Sequence, residues 1–157
     1  ITAGERKTIT ALFADLKGST ALIEGLDPEE ARAIIDPALQ LMMDAVHRYE
    51  GYVAQVLGDG IFALFGAPLA HEDHPQRALY AALRMQEEMH RYSDQVRLKH
   101  GVPLAMRVGT QETSHPRAPP TRTVVFGPDA LRRLVPVGPL PRLILLRTLA
   151  TSLPPRS

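Results

Sequence analysis

The sequence predicts an α+β domain of the ferredoxin-like kind, βαββαβ, with helices on one face of an antiparallel sheet. Three observations predict it. An alternating apolar run spans Lys7–Ala14. Two further apolar runs flank Gly58-Asp59-Gly60, a strong hairpin signal. Two long segments with apolar residues at spacings of three and four lie before and after that hairpin.

The elements follow in chain order. In Lys7–Ala14, Ile9, Ala11 and Phe13 share one face, and Thr8, Thr10 and Leu12 the other. Both faces are largely apolar, which predicts a central strand. Gly18-Ser19-Thr20 breaks the run, and Ser19 is placed to cap a short helix through Gly25. Asp27-Pro28-Glu29-Glu30 opens a second helix, with Asp27 as N-cap, Pro28 in the first turn and Glu30 in a capping-box position. Its apolar stripe is Ile35, Ala38, Met42, Ala45 and Tyr49, and Gly51 ends it.

Tyr52–Leu57 and Ile61–Phe65 form the hairpin, so Asp59 is expected at its tip. Gly66-Ala67-Pro68 closes the second strand. A long helix over 76–99 presents Ala78, Ala82, Met85, Met89, Tyr92 and Val96, and Val102–Val108 supplies a further strand. In this plan the first strand neighbours the hairpin, which brings Asp15 and Asp59 to one edge of the sheet.

Bulk properties restrict the class. A chain of 157 residues suffices for one domain with a real core. It has no cysteine, which excludes disulfides and thiolate metal sites. No apolar run approaches the ~20 residues that span a bilayer, and no signal-peptide pattern is present. The expectation is therefore a cytoplasmic protein that does not engage a membrane. The chain opens on Ile1 rather than Met, as a fragment of a longer protein would.

The net charge of +1 conceals two regions. Residues 1–109 hold 11 Lys+Arg against 15 Asp+Glu. Residues 110–157 hold 7 Arg, no Lys and 2 acids, together with 9 of the 14 prolines. The tail lacks Lys, interleaved aromatics and any recognisable binding motif, so no nucleic acid is expected as a partner.

Asp15 and Asp59 each stand where an apolar strand gives way to glycine. Two carboxylates beside a Gly/Ser/Thr loop suit hard divalent cations and a triphosphate. Each alone also reads as an ordinary turn residue. Lys17 reads equally as a solvated surface residue, and Gln55 as a polar strand residue. His71-Glu72-Asp73-His74 resembles a metal cluster, but no distant third partner is evident, so a solvated loop and helix cap is expected.

Taken together, Asp15 with Gly18-Ser19-Thr20, Gly58-Asp59-Gly60 at its spacing, Gly4-Glu5-Arg6-Lys7, Phe65-Gly66-Ala67-Pro68 and the following His71–His74 resemble the class III adenylate/guanylate cyclase catalytic domain of bacterial type. The resemblance runs from about Gly4 to Gly109. It implies head-to-tail pairing, either as a homodimer or with a complete cyclase partner, and an active site between subunits. It implies two Mg²⁺ or Mn²⁺ ions held by Asp15, Asp59 and the carbonyl of Leu16. It implies further that Lys17, Gly18, Ser19 and Thr20 hold the phosphates of ATP or GTP. One metal then acidifies the ribose 3′-hydroxyl, and the other offsets charge on the departing pyrophosphate. The product that the resemblance implies is a 3′,5′-cyclic nucleotide.

Two departures stand out. Gln55 occupies the position of a base-reading Lys, and it brings hydrogen-bonding capacity without charge. After Gly109 the family continues through Asn-Thr-Gly-Glu/Asp-Val to a second base-reading residue and to the Asn and Arg of the transition state. None of these appears in Thr110–Ser157. Asn-Thr-Gly-Asp-Val written AAC ACA GGA GAC GTC and read one base late gives Thr-Gln-Glu-Thr-Ser, the sequence of Thr110–Ser114. A shifted reading frame is therefore expected, with 1–109 as the cyclase part and 110–157 as an irregular Arg/Pro-rich tail broken by prolines around a short helix at Arg142–Leu149. Loss of the later strands is expected to leave a sheet edge unpaired. The sequence thus predicts a catalytically impaired cyclase domain, with a non-catalytic regulatory or dimerisation module as the alternative.

Overall fold

The computed structural model describes residues 8–113, 122–126, 135–136 and 144–145. Strand β1 (Ile9–Lys17) leads through α1 (Ser19–Gly25) and α2 (Pro28–Arg48) to the hairpin β2 (Tyr52–Val56) and β3 (Gly60–Phe65). Helix α3 (His74–His100), β4 (Ala105–Thr113) and β5 (Arg122–Phe126) follow. The sheet order is β2-β3-β1-β4-β5, with every neighbouring pair antiparallel. The first four strands keep the order expected of βαββαβ, and the ferredoxin-like plan holds.

Alternation explains why β1 sits at the centre. Leu12, Ala14 and Leu16 point to the helical layer and are almost completely buried. Ala11 on the opposite face is also buried, at 6% exposure, so both sides of the strand are covered. The α2 stripe of Ile34, Ile35, Ala38, Met42, Ala45 and Val46 packs with Ala78, Ala82, Met85 and Met89 of α3 over that layer. Pro37 lies within α2 on its exposed side. There water can serve the carbonyl whose helical partner the proline lacks.

Several boundaries differ from the sequence expectation. β1 runs on through Asp15 to Lys17, because β3 and β4 pair with it on both sides. β4 passes Gly109 and ends at Thr113, held by β1. The tail is not wholly irregular. Arg122–Phe126, rich in β-branched residues, pairs with β4 from Val108↔Phe126 to Glu112↔Arg122. The expected open edge of β4 is thereby filled, and β2 is left as the outer strand at the other side. Ile144–Leu145, read as part of a short helix, forms instead a two-residue strand β7 against β6 (Val135–Pro136). The rest of that expected helix lies outside the described residues.

The expected caps also differ in chemistry. Asp27 and Asp73 stand at the N-cap positions of α2 and α3, but neither side chain caps its helix. Asp73 accepts a 2.8 Å hydrogen bond from Arg77 Nε instead, and this bond to the guanidinium is the main reason its carboxyl lies below the usual value. His74 is buried rather than solvated, and its Nδ1 lies 2.7 Å from Thr10 Oγ1, tying α3 to β1.

Tyr92 joins the two long helices by donating its hydroxyl to the Ile34 carbonyl at 2.5 Å. Burial pushes its ionisation above the ordinary 10.0. The unfolded chain ionises first, so this contribution is complete below that pH and is lost as pH rises through the folded value. Tyr92→Phe is expected to cost about 1 kcal/mol at neutral pH. It should also lessen the decline in stability above about pH 10. Urea denaturation of both proteins at neutral and alkaline pH checks this.

Candidate functional site

The register of β1 builds the site. Asp15 is paired on one side with Gly60 of β3 and on the other with Arg107 of β4. Gly60 follows Asp59, so the hairpin turn lies against the end of β1. The Leu16 amide donates to the Asp59 carbonyl at 2.9 Å, and the Leu57 amide to the Gly60 carbonyl at 2.7 Å. These bonds set both the turn and its seat on β1. Asp15 and Asp59 therefore meet at one end of the sheet, as the topology predicted.

Gly60 is required there by space. A Cβ at this position would lie 2.2 Å from the Ala14 carbonyl oxygen and 3.1 Å from Asp15 Cα. Gly18 is required by conformation. Its φ of 79° turns the chain from the end of β1 into α1, a backbone state that costs other L-residues roughly 1 kcal/mol or more. Because Gly18 itself is the N-cap, Ser19 is the first helical residue rather than the cap. Its hydroxyl serves a different acceptor and donates to Asp59 Oδ2 at 2.8 Å.

The two carboxylates are held differently. Asp15 Oδ2 lies 3.5 Å from Arg107 Nη2. Asp15 Oδ1 is buried and has no hydrogen-bond partner among the described residues. A buried carboxylate oxygen without a donor is a costly arrangement that a cation would relieve. Asp15 and Asp59 offer carboxylate oxygens, and Leu16 would add its backbone carbonyl; oxygen donors of this kind suit Mg²⁺ or Mn²⁺ completed by waters and substrate phosphates. The residues present fit the metals implied by the sequence. Among the described residues no group of three or more His, Asp or Glu side chains is placed to hold a metal ion.

The remaining predicted residues are placed less centrally. Lys17 is exposed at the end of β1, and Gly18 is exposed beside it. Thr20 lies in the first turn of α1. Gln55 is exposed on the outer strand β2, paired with Phe62 just after a register shift. The His71–His74 segment is not part of the site. His71 Nε2 lies 3.1 Å from Glu50 Oε2, and His74 is taken by Thr10.

Sequence reasoning missed Arg107. It is 92 residues from Asp15 in the chain and meets it only through the β1–β4 register. The available signal was the antiparallel pairing of two predicted strands, whose exact register the sequence did not supply. Arg107 adds a positive charge beside Asp15 at this end of β1.

An antiparallel sheet of this order packed against two long helices is the fold of solved nucleotide cyclase domains. Residues 1–114 match the family model described as the adenylate and guanylate cyclase catalytic domain, and the chain belongs to that family. It is 32% identical over 91 residues to adenylate cyclase 1 of Rhizobium meliloti, covering 58% of this chain and 14% of that protein. In structure it is similar to the guanylyl cyclase Cya2, with a TM-score of 0.65 and 28% identity over 96% of this chain and 66% of that one. The adenylyl cyclase CyaB from P. aeruginosa aligns with a TM-score of 0.66 and 25% identity, over 76% of this chain and 59% of that one. The chain thus spans a small part of its curated relative's length. No helix among the described residues is long and apolar enough to cross a membrane.

Proposed function

We propose that this chain carries the metal- and triphosphate-binding part of a nucleotide cyclase that forms a 3′,5′-cyclic nucleotide and pyrophosphate from ATP or GTP. The observation that carries this reading is the placement of Asp59 against β1 beside Asp15, with the Asp15 Oδ1 oxygen buried and without a hydrogen-bond partner among the described residues. Asp15, Asp59 and the Leu16 carbonyl would hold two Mg²⁺ or Mn²⁺ ions. Such ions supply acidification of the ribose 3′-hydroxyl and charge neutralisation on the departing pyrophosphate.

The chain's own groups prepare that chemistry. Arg107 draws Asp15 Oδ2 to one side and provides a cation for phosphate oxygens. Lys17 and the amides of Gly18, Ser19 and Thr20 border the same strand end and would bind the phosphates. Gln55 would face the base, where neutral hydrogen bonding replaces a charge. The relatives named above include both adenylyl and guanylyl cyclases, so either purine fits the family.

The family's later Asn and Arg have no counterpart in Thr110–Ser157. In this reading the shifted frame begins at Thr110, and the 157-residue chain does not complete a site by pairing with itself. A complete cyclase domain as partner would supply the transition-state groups. The absence of those motifs also favours a second reading, a regulatory or dimerisation module without turnover.

Incubation with Mn²⁺ and ATP or GTP, with cyclic nucleotide read by mass spectrometry, separates the readings. Turnover when the chain is paired with a cyclase domain that keeps its transition-state groups but lacks its own metal carboxylates, lost in Asp15→Ala and Asp59→Ala of this chain, supports the enzyme and excludes the module. No turnover either alone or with that partner domain favours the module. Turnover that survives both substitutions would overturn the metal assignment.

A further inference from the structure

Ser19 does something the phosphate-loop reading does not include. Its side chain is buried, at 4% exposure, and its hydroxyl lies 2.8 Å from Asp59 Oδ2 across 40 residues of chain. The helix it begins is capped by Gly18 in the left-handed conformation, which frees the hydroxyl from any capping duty. Asp59 itself stands in a hairpin turn, where the backbone alone does not fix the side-chain rotamer. A buried donor on Oδ2 does fix it.

We infer that Ser19 is a positioning residue for Asp59: its hydroxyl orients the carboxylate so that the remaining oxygen is presented to a divalent cation. This inference rests on the two-carboxylate metal reading and deepens it. The two carboxylates are treated in parallel. Arg107 stands at Oδ2 of Asp15, and Ser19 occupies Oδ2 of Asp59. Each then offers its other oxygen from a restrained rotamer, and the cation does not have to order the ligand on arrival. Partners of this kind commonly change metal affinity by roughly 10- to 100-fold. The hydroxyl is engaged with Asp59, so a contribution of Ser19 to phosphate binding comes from its backbone amide.

Mn²⁺ titration of the 157-residue chain, with free Mn²⁺ read by electron paramagnetic resonance, tests this without any turnover. Ser19→Ala is expected to weaken Mn²⁺ binding by about tenfold or more. Ser19→Thr, which keeps the hydroxyl, should restore most of it. In an Asp59→Ala background, Ser19→Ala should have no further effect, because the residue acts through that carboxylate. Ser19→Cys fills the same space with a poor donor and gives the same reading should the alanine variant fold badly. Wild-type affinity in both Ser19→Ala and Ser19→Cys, or an equal loss with and without Asp59, would overturn the role of Ser19. Unchanged affinity in Asp59→Ala would instead overturn the metal reading beneath it.

Discussion

Gly60→Ala is expected to cost about 3 kcal/mol of stability and to abolish metal binding together. The added Cβ would lie 2.2 Å from the Ala14 carbonyl oxygen. That oxygen belongs to the central strand and cannot rotate away as the tip of a flexible side chain would. β3 must therefore move off β1 at the pair Asp15↔Gly60, where the hairpin turn is seated. The Leu16 to Asp59 backbone bond breaks with it, and Asp59 leaves Asp15. Gly58→Ala is the matched control, two residues away. A Cβ there meets nothing within 4 Å, and the backbone is not in the left-handed region. It should change stability by no more than about 0.5 kcal/mol. Urea denaturation with Mn²⁺ titration of both variants reads the two effects side by side.

Asp15→Ala and Asp59→Ala are expected to remove metal-dependent function while leaving the fold standing. Both residues are only partly buried, and neither belongs to the apolar core between the sheet and the helices. Removing Asp15 takes away a buried oxygen that has no donor among the described residues and leaves Arg107 without its carboxylate. Removing Asp59 leaves the Ser19 hydroxyl buried without an acceptor, a loss of about 1 kcal/mol or slightly more. Turnover in complex with a cyclase domain that lacks its own metal carboxylates should fall by about a thousandfold in either variant, because charge developing on the triphosphate would no longer be met. Circular dichroism and thermal melting of the metal-free variants, beside activity, separate this from unfolding.

Much of the fold was legible because it rests on local patterns. Alternation located β1, the Asp-Gly turn located the β2–β3 hairpin, and the three-four spacing located α2 and α3. The antiparallel sheet order followed from connectivity. Features decided by long-range pairing were less legible. Asp15 reads as the exit from a strand, yet it is paired on both sides, because backbone bonds from β3 and β4 outweigh the polarity of the Asp-Leu-Lys segment. The prolines flanking residues 122–126 obscured a strand that the free edge of β4 stabilises.

The site divides in the same way. The two carboxylates and the glycines beside them were visible as residue types at a spacing. Ser19 was expected to cap α1, because sequence does not reveal that Gly18 adopts the left-handed state or that Asp59 lies within reach. Arg107 was invisible until strand register placed it opposite Asp15. His74 sits in a segment of charged and histidine residues that reads as solvated, and only tertiary packing turns it inward to Thr10.

The central claim is that Asp15 and Asp59 form one cation site that receives a nucleoside triphosphate. Equilibrium binding of Mn²⁺ with 3′-deoxy-ATP or 3′-deoxy-GTP, which cannot cyclise, tests it directly. The wild-type chain should bind the metal–nucleotide pair, and Asp15→Ala and Asp59→Ala should each weaken binding by about a hundredfold. Equal binding by all three proteins would contradict the claim.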